Sequence, residues 1–495
     1  MAMSHAEVIV PLLGDLEEVP SDYRVQVASI KRVLERWTMD PGYRAEYAAD
    51  PVAAIAKLGV NLRPEEITPL IDEDQGRELT RAIKAGEDAH FPLAIRRYRA
   101  FYKEKRLHRR DIRARCQSSN RRIATWRSRQ IARCINELGV RKADALVHAP
   151  MAIELAKGCS VGCWFCGVSA DKLQGYLPYS EATGEFWRGC LTVLRDVLGD
   201  AAKQGFLYWA TDPLDNPDYE YFLTDFSQIL GRCPQTTTAQ GAKDIERTRR
   251  LLRLSASLGS EIDRFSILTL GMLEKIHKGF QPEDLLRVEC VPQNRESADR
   301  YRKANAGRAR SFQDSRETEM MPEETSSTIA CVSGFLFNMV DRKVQLVTPC
   351  NATRRWPLGY WVVDEAHFDS PEELRHELDR IIETNMPMSL GLDDEVKLRP
   401  GTEVFGEGSD LIVKSRWLRF AFHGQQRPET LAELLREGKR TVAELALERE
   451  ARDGTSLPET FLIVEDLFKR GFIDEEPAAV EELQPELVMV RAGAV

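Results

Sequence analysis

No uninterrupted apolar run in this 495-residue chain is long enough to cross a bilayer. The opening stretch, MAMSHAEVIVPLLGDLEEVP, has no basic start, and acids follow its short apolar run, so it makes a poor signal peptide. These two absences predict a cytoplasmic chain with no membrane partner. Net positive charge is lacking as well: the formal net charge is −9, which speaks against a nucleic-acid binder. No internal repeat is present. There are ten cysteines, but a chain this long with 43% hydrophobic residues needs no disulfide scaffold, so unpaired thiols in a reducing compartment are expected. The length alone allows three or four domains.

Residues 22–145 are predicted helical, because Val27, Ile30, Val33, Leu34 and Trp37 recur at three- and four-residue spacing. Asp40-Pro41 and Asp50-Pro51 have the form of helix starts, with Asp as cap and Pro in the first turn, and Gly59 is placed to stop the second helix. Residues 96–133 hold fifteen Lys or Arg against two acids, Glu104 and Asp111, with Tyr98, Tyr102 and Trp126 between them. A solvated helix face and a docking strip for an acidic peptide or RNA both fit that stretch. From about 150 the pattern alternates. MAIELA, FLYWAT, TTTAQ, RFSILTL and RVECVP read as strands, with amphipathic stretches such as Glu185 to Leu198 and Lys243 to Leu258 between them. That is an α/β pattern with a parallel sheet, in five or six units, too few for a full eight-fold barrel. Residues 302–328 read as a linker or long loop, followed by two strands around 330–338 and 343–348. LIVKSRWLRFAFHG and three amphipathic helices suggest a small winged-helix unit. The expected boundaries are 1–146 for the helical region, 147–325 for the α/β region, 326–392 for the hairpin region, 393–480 for the winged helix and 481–495 for an acidic tail.

The string KGCSVGCWFCG carries Cys159, Cys163 and Cys166 at C-x3-C-x2-C spacing. Thiolates are the natural ligands of iron–sulfur clusters, and a 4Fe-4S cube normally takes four. Three leave one iron open to chelate the amino and carboxylate groups of a small molecule. Gly158 and Gly162 let the backbone wrap closely around a bulky cube. The motif follows the predicted strand Met151–Ala156, where α/β proteins place their sites. A structural zinc site would want a fourth Cys or His nearby. The nearest downstream cysteine is Cys190, inside a predicted helix.

This motif after a first strand, with the aromatic Phe165 before the third cysteine, resembles the radical S-adenosylmethionine (SAM) superfamily. The resemblance implies a partial (β/α)6 barrel, a 4Fe-4S cluster on the three cysteines, and reductive cleavage of SAM to a 5′-deoxyadenosyl radical that takes hydrogen from an unactivated C–H bond. It also implies an electron donor such as flavodoxin or ferredoxin. Where the family has Gly-Gly-Glu for the SAM amino group, this chain has Ala210-Thr211-Asp212. Thr211 and Asp212 are therefore candidates, with Asp212 as the acid or as an Asp-Pro helix cap. Ser266 could bond the SAM ribose or carboxylate, or be a satisfied buried serine. Gln293 could face the pocket or end a loop.

Cys331 and Cys350 flank the predicted hairpin in CVSGFLFNMVDRKVQLVTPC, and no cysteine follows Cys350. The layout resembles the first half of the SPASM region of peptide-modifying radical SAM enzymes and implies an auxiliary 4Fe-4S cluster. Cys290 is the best-placed further ligand, with a buried apolar cysteine as its alternative. Cys116, Cys134, Cys190 and Cys233 have no assigned task. Beyond Cys350, Gly359-Tyr360-Trp361 resembles the motif of the radical SAM cyclopropyl synthases of ribosomal-peptide pathways, which implies that Tyr360 ligates the auxiliary cluster.

The C-terminal unit resembles the winged-helix leader-recognition element of peptide-modifying enzymes, which takes up a leader peptide as an added strand on a sheet edge. Its many acids argue against a DNA-binding winged helix. DPGYRAEYAADPVAAIAKLGVNL also resembles helical leader peptides related to nitrile hydratase, and an ordinary helical hairpin explains it equally. The expected function is maturation of a ribosomally made precursor peptide, with hydrogen abstraction from a Val or Ile methyl and closure of a cyclopropane. The alternative is a radical SAM peptide epimerase, in which Cys290 would return a hydrogen atom.

Overall fold

The computed structural model describes residues 9–298 (apart from 15 and 17), 304–314 and 328–477. The tail expected over 481–495 and most of the linker expected over 302–328 lie outside them.

The first layer is helical: α1 (Ser21–Met39), α2 (Pro41–Ala49), α3 (Pro51–Lys57), α4 (Thr68–Ile71), α5 (Glu73–Ala85), α6 (Leu93–Arg115), α7 (Arg121–Leu138) and α8 (Val140–Ala143). Asp40 and Asp50 cap α2 and α3, accepting from the N–H groups of Gly42 and Ala53, and each is followed by Pro in the first turn. The basic stretch divides between surface and interior. Lys103, Arg106 and Arg110 of α6 are exposed, but Arg127, Arg129 and Arg133 of α7 are buried. Arg127 Nε donates to the His148 carbonyl at 3.0 Å, and Arg129 Nε to Glu475 at 2.8 Å. Part of the charge thus ties elements together and is not offered to a partner.

The second layer begins with β1 (Ala149–Glu154), which leads into β2 (Ala156–Lys157) and its antiparallel partner β3 (Gly175–Tyr176). Helices α9 (Glu181–Leu198), α10 (Tyr219–Leu230), α11 (Ile245–Ser257) and α12 (Leu270–Gly279) alternate with the parallel strands β4 (Thr237–Thr238), β5 (Asp263–Ile267) and β6 (Val288–Pro292). The strand expected at FLYWAT is reduced to one parallel bridge, Phe206 to Ala152. Four residues on, the Ala210 N–H donates to the Glu154 side chain at 2.6 Å and not to a strand.

After α13 (Gly307–Asp314), β7 (Val332–Asn338) pairs in parallel with β1, not beside β6 as a six-stranded partial barrel in simple order would have it. Antiparallel β8 (Lys343–Pro349) and β9 (Tyr360–His367) extend that sheet, so the hairpin region is continuous with the sheet of β1. One face of this sheet, with Met151, Ile153, Phe335 and Phe337, packs on α9, α10 and α14 (Pro371–Asn385). The other face carries Ala149, Ala152, Val332 and Leu336. Alternation of side chains separates the two sets, and a register irregularity between Ala149 and Met151 puts Ala149 on the second face.

The last unit has a β10 (Glu395–Val396) and β14 (Arg440–Thr441) pair and an antiparallel meander of β11 (Glu403–Glu407), β12 (Asp410–Lys414) and β13 (Arg419–Phe422). Helices α15 (Pro428–Glu437), α16 (Val442–Asp453) and α17 (Leu457–Lys469) share one core with them. This unit docks on α7: Trp417 Nε1 donates to the Glu137 carbonyl at 3.0 Å, and Arg129 lies 3.9 Å over the Phe468 ring. Among the described residues no helix is long and apolar enough to cross a membrane.

Candidate functional site

The cysteine loop leaves the C-terminal end of β1 through β2. Gly158 has φ +78°, and a Cβ there would lie 2.2 Å from the Lys172 carbonyl oxygen, so only glycine admits this close return of the chain. The Cys159 N–H donates to the Asp171 carbonyl at 2.8 Å, and the Cys166 sulfur accepts from the Ala170 N–H at 3.3 Å. All three cysteines are half-buried and free of disulfides. Burial, aided by nearby negative charge, pushes the Cys159 thiol up to about 12 and the Cys163 thiol up to about 11. Phe165 stands edge-on to Trp164 at 5.4 Å.

As placed, no group of three or more His, Cys, Asp or Glu side chains among the described residues is close enough to hold a metal ion. The donor set nonetheless has the chemistry of a cluster site. It offers three thiols on one glycine-bearing loop, a form suited to sulfur-ligated iron with one corner free. Binding would displace the three thiol protons.

Asp215 holds the middle of this loop, accepting from the Ser160 N–H at 2.9 Å, from the Ser160 hydroxyl, and from Gln240 Nε2 at 2.7 Å. Asp212, the acid expected there, is turned to the polypeptide. Its Oδ1 accepts from the Leu214 N–H at 3.1 Å and from Thr238 Oγ1 at 2.7 Å, and its Oδ2 accepts from the Ala239 N–H at 2.7 Å. Asp212 thus caps the turn that follows it, and burial raises its pKa. Thr211 beside it is half-buried. Ser266 lies on the face of β5 opposite Phe265 and Ile267, which pack toward α12. The Gln293 N–H donates to the Ile267 carbonyl at 2.9 Å, just past β6.

Three side chains without a role in the sequence reading make contacts near this loop or the residues beside it. Glu154, the lone charge in an apolar strand, accepts from the Ala210 N–H and from Asn338 Nδ2 at 3.0 Å, and burial pushes its carboxyl up to about 7. Trp209 meets the Tyr360 ring edge-on at 5.6 Å. Arg308, in the stretch expected to be linker, donates to the Cys163 carbonyl at 2.8 Å and also to the Ala170 carbonyl. Glu154 had a signal in its isolation among apolar neighbours; Arg308 had none.

The auxiliary set divides. Cys331, Tyr360, Tyr208 and Trp209 pack on one apolar cluster with Ala152 and Phe206. Ile329, two residues before Cys331, abuts Gly167 of the cysteine loop. Thr328 Oγ1 donates to the Gly359 carbonyl at 2.6 Å, next to Tyr360. Burial pushes the Cys331 thiol up to about 11 and the Tyr360 hydroxyl up to about 12. Cys350 does not join them. Thr348 and Trp361, paired across β8 and β9, both meet Arg133 of α7, whereas Pro349 is paired with Tyr360. By alternation Cys350 points to the α7 face with Thr348, and its thiol is raised by burial beside Arg133 and Cys134. Cys290 does not join them either. It is paired with Phe265 and lies in the core with Met39, Ile276 and Phe280, where burial raises its thiol and Glu35 and Lys31 are its charged neighbours.

No family model matches the chain. It is 38% identical over 464 residues to the uncharacterized protein y4wI of Sinorhizobium fredii (strain NBRC 101917 / NGR234), a match that covers 92% of this chain and 88% of y4wI. This chain belongs to the y4wI family. Among solved structures, the crystal structure of BtrN in complex with AdoMet and 2-DOIA matches 40% of this y4wI-family chain and 71% of its own. That match has 16% identity and a TM-score of 0.29, a likeness too shallow to carry an argument.

Proposed function

We propose that this y4wI-family chain is a radical SAM maturase of a ribosomally synthesised peptide. The observation that carries the reading is the glycine-bearing loop with Cys159, Cys163 and Cys166 at the C-terminal end of β1. When bound, a 4Fe-4S cluster on these three thiolates would supply the electron that cleaves SAM reductively into methionine and a 5′-deoxyadenosyl radical. Asp215 holds the loop, and Trp209, Tyr208 and Tyr360 line the apolar face that would exclude water.

Of the two products the sequence leaves open, L-to-D epimerisation fits better than cyclopropane closure. Closing a cyclopropane removes two hydrogens and needs an acceptor for the second electron. Of the residues expected to hold that acceptor, Cys331 and Tyr360 share one apolar cluster, while Cys350 has Arg133 and Cys134 as neighbours and Cys290 lies in another core. Epimerisation needs only a thiol beside the reacting carbon. Cys331 is half-buried on the cluster that includes Trp209 and Tyr360, two residues from the contact with the cysteine loop. Its part is to give the S–H hydrogen atom to the opposite face of the α-carbon after the α-hydrogen has left. One electron from an external donor such as flavodoxin or ferredoxin and one proton from solvent then restore the thiol.

The peptide reading rests on the C-terminal unit. β13 pairs with β12 on one side, and among the described residues no backbone hydrogen bond joins its outer edge to another element. The other edge of the meander, β11, packs against α15. An extended leader peptide could add to the β13 edge.

Anaerobic incubation with SAM, a reductant and the product of any short open reading frame found beside the gene tests this. Epimerisation leaves the peptide mass unchanged in light water and adds one deuterium in heavy water. Loss of two hydrogens would restore the cyclopropane reading, and neither change would overturn both.

A further inference from the structure

The cysteine loop is gripped from outside by Arg308, at the start of α13. The Arg308 guanidinium donates to two carbonyls of that loop, Cys163 at 2.8 Å and Ala170, while its own backbone N–H donates to the Cys166 carbonyl at 2.9 Å. Gly307 makes the approach possible. It has φ +54°, and a Cβ there would lie 2.4 Å from the Gly167 carbonyl oxygen. Its N–H donates to the Pro357 carbonyl at 2.8 Å, which anchors the start of α13 to the segment leading to Tyr360.

Resting on the metal reading of the three cysteines, we propose that Arg308 is a positioning residue that ties the segment from Cys163 to Ala170 together and so limits how far Cys163 and Cys166 must move to take up a metal. A planar guanidinium fixes two acceptors at once, which a lysine ammonium on a flexible stem does far less well. Both acceptors are carbonyls of the ligand-bearing loop, so the fork sets the span between them. The third bond, to the Cys166 carbonyl, fixes the second of the two ligands. The positive charge also stands beside the place where three thiolates would gather. Partners of this kind hold metal ligands in orientation and commonly affect metal affinity ten- to a hundredfold.

The test uses the full-length chain, reconstituted anaerobically with iron and sulfide, as native protein, Arg308→Met and Arg308→Lys. Iron release to a chelator is followed alongside thermal unfolding and amide hydrogen exchange of the metal-free proteins. Expected is iron release about ten- to a hundredfold faster in Arg308→Met, with Arg308→Lys between it and native. In metal-free Arg308→Met, faster exchange should be confined to the 163–170 amides, with the melting temperature held. Iron release at the native rate from either folded variant would overturn the clamp and leave the metal reading standing. Failure of the native chain to take up iron would overturn both. Should Arg308→Met not fold, native behaviour of Arg308→Lys in both release and exchange overturns the clamp on its own.

Discussion

At the scale of single residues, the site turns on which buried groups face one another. Cys331 and Cys290 are both cysteines near strands, but Cys331 lies with Trp209 and Tyr360, and Cys290 with Phe265 and Met39. Cys331→Ala should therefore abolish deuterium incorporation into the peptide while 5′-deoxyadenosine still forms. Cys290→Ala should leave both unchanged; the reverse pattern, read by mass spectrometry, would exchange their roles. Glu154 supplies a second prediction. Its folded pKa stands near 7 against 4.5 in the unfolded chain, so the folded state holds the proton more tightly. Its contribution to stability is complete below about 4.5, declines as pH rises, and is gone above about 7. The total is on the order of 3 kcal/mol. Glu154→Gln should flatten that part of the pH profile in urea titrations, whereas an unaltered slope would mean that another group titrates there.

Among the elements, strand edges and buried arginines decide what the sequence pattern leaves open. FLYWAT has strand composition, but past its one bridge the Ala210 N–H donates to the Glu154 carboxyl and not to a strand. The basic stretch looked like one surface by composition. It is divided, because Arg133 on α7 bonds Thr348 at 3.0 Å and stacks 3.8 Å over Trp361, and with Arg127 and Arg129 it is buried. β13 is the element whose free edge matters most to the proposed function. Ala421→Pro places a residue without an N–H in this strand and stiffens it. Precursor-peptide binding, read by fluorescence anisotropy, should weaken at least tenfold, on the order of one well-made set of hydrogen bonds. Cleavage of SAM without peptide should persist; unchanged peptide affinity would move the leader to another surface.

Across the whole molecule, the helical layer and the α/β layer are joined by charge as well as by apolar packing. Glu289 on β6 meets Arg264 at 3.1 Å, Arg109 of α6 at 3.0 Å and Lys105 of α6 at 3.5 Å. Burial alone would raise its carboxyl; Arg264, Lys105 and Arg109 outweigh that and hold it at about 2. Because the folded value lies below the unfolded 4.5, this contribution is present above 4.5 and is lost as pH falls toward 2. Glu289→Gln should lower stability at neutral pH by about 3 kcal/mol, since it leaves cations partly buried without their carboxylate. It should also reduce the loss on acidification, as measured by thermal unfolding across pH. A variant that keeps the native acid sensitivity would place the acid-labile joint elsewhere.

Local chemistry was legible in the sequence by itself. Asp40 and Asp50 cap helices because a short carboxylate before proline reaches the free N–H groups of a first turn, and no distant residue is needed for that. The C-x3-C-x2-C spacing likewise puts three thiols on one short loop through chain connectivity alone. What only the tertiary structure decided is which side of a strand a group occupies and what lies across from it. Cys350 and Tyr360 are neighbours across a hairpin, yet one faces α7 and the other Trp209, because β8 and β9 alternate. Asp212 and Asp215 are three residues apart, but it is Asp215 that bonds the cysteine loop, while Thr238 of β4 and Ala239 just past it bond Asp212. Arg308 reaches that loop from more than a hundred residues away in the chain. Its role depends on a contact that no local pattern encodes.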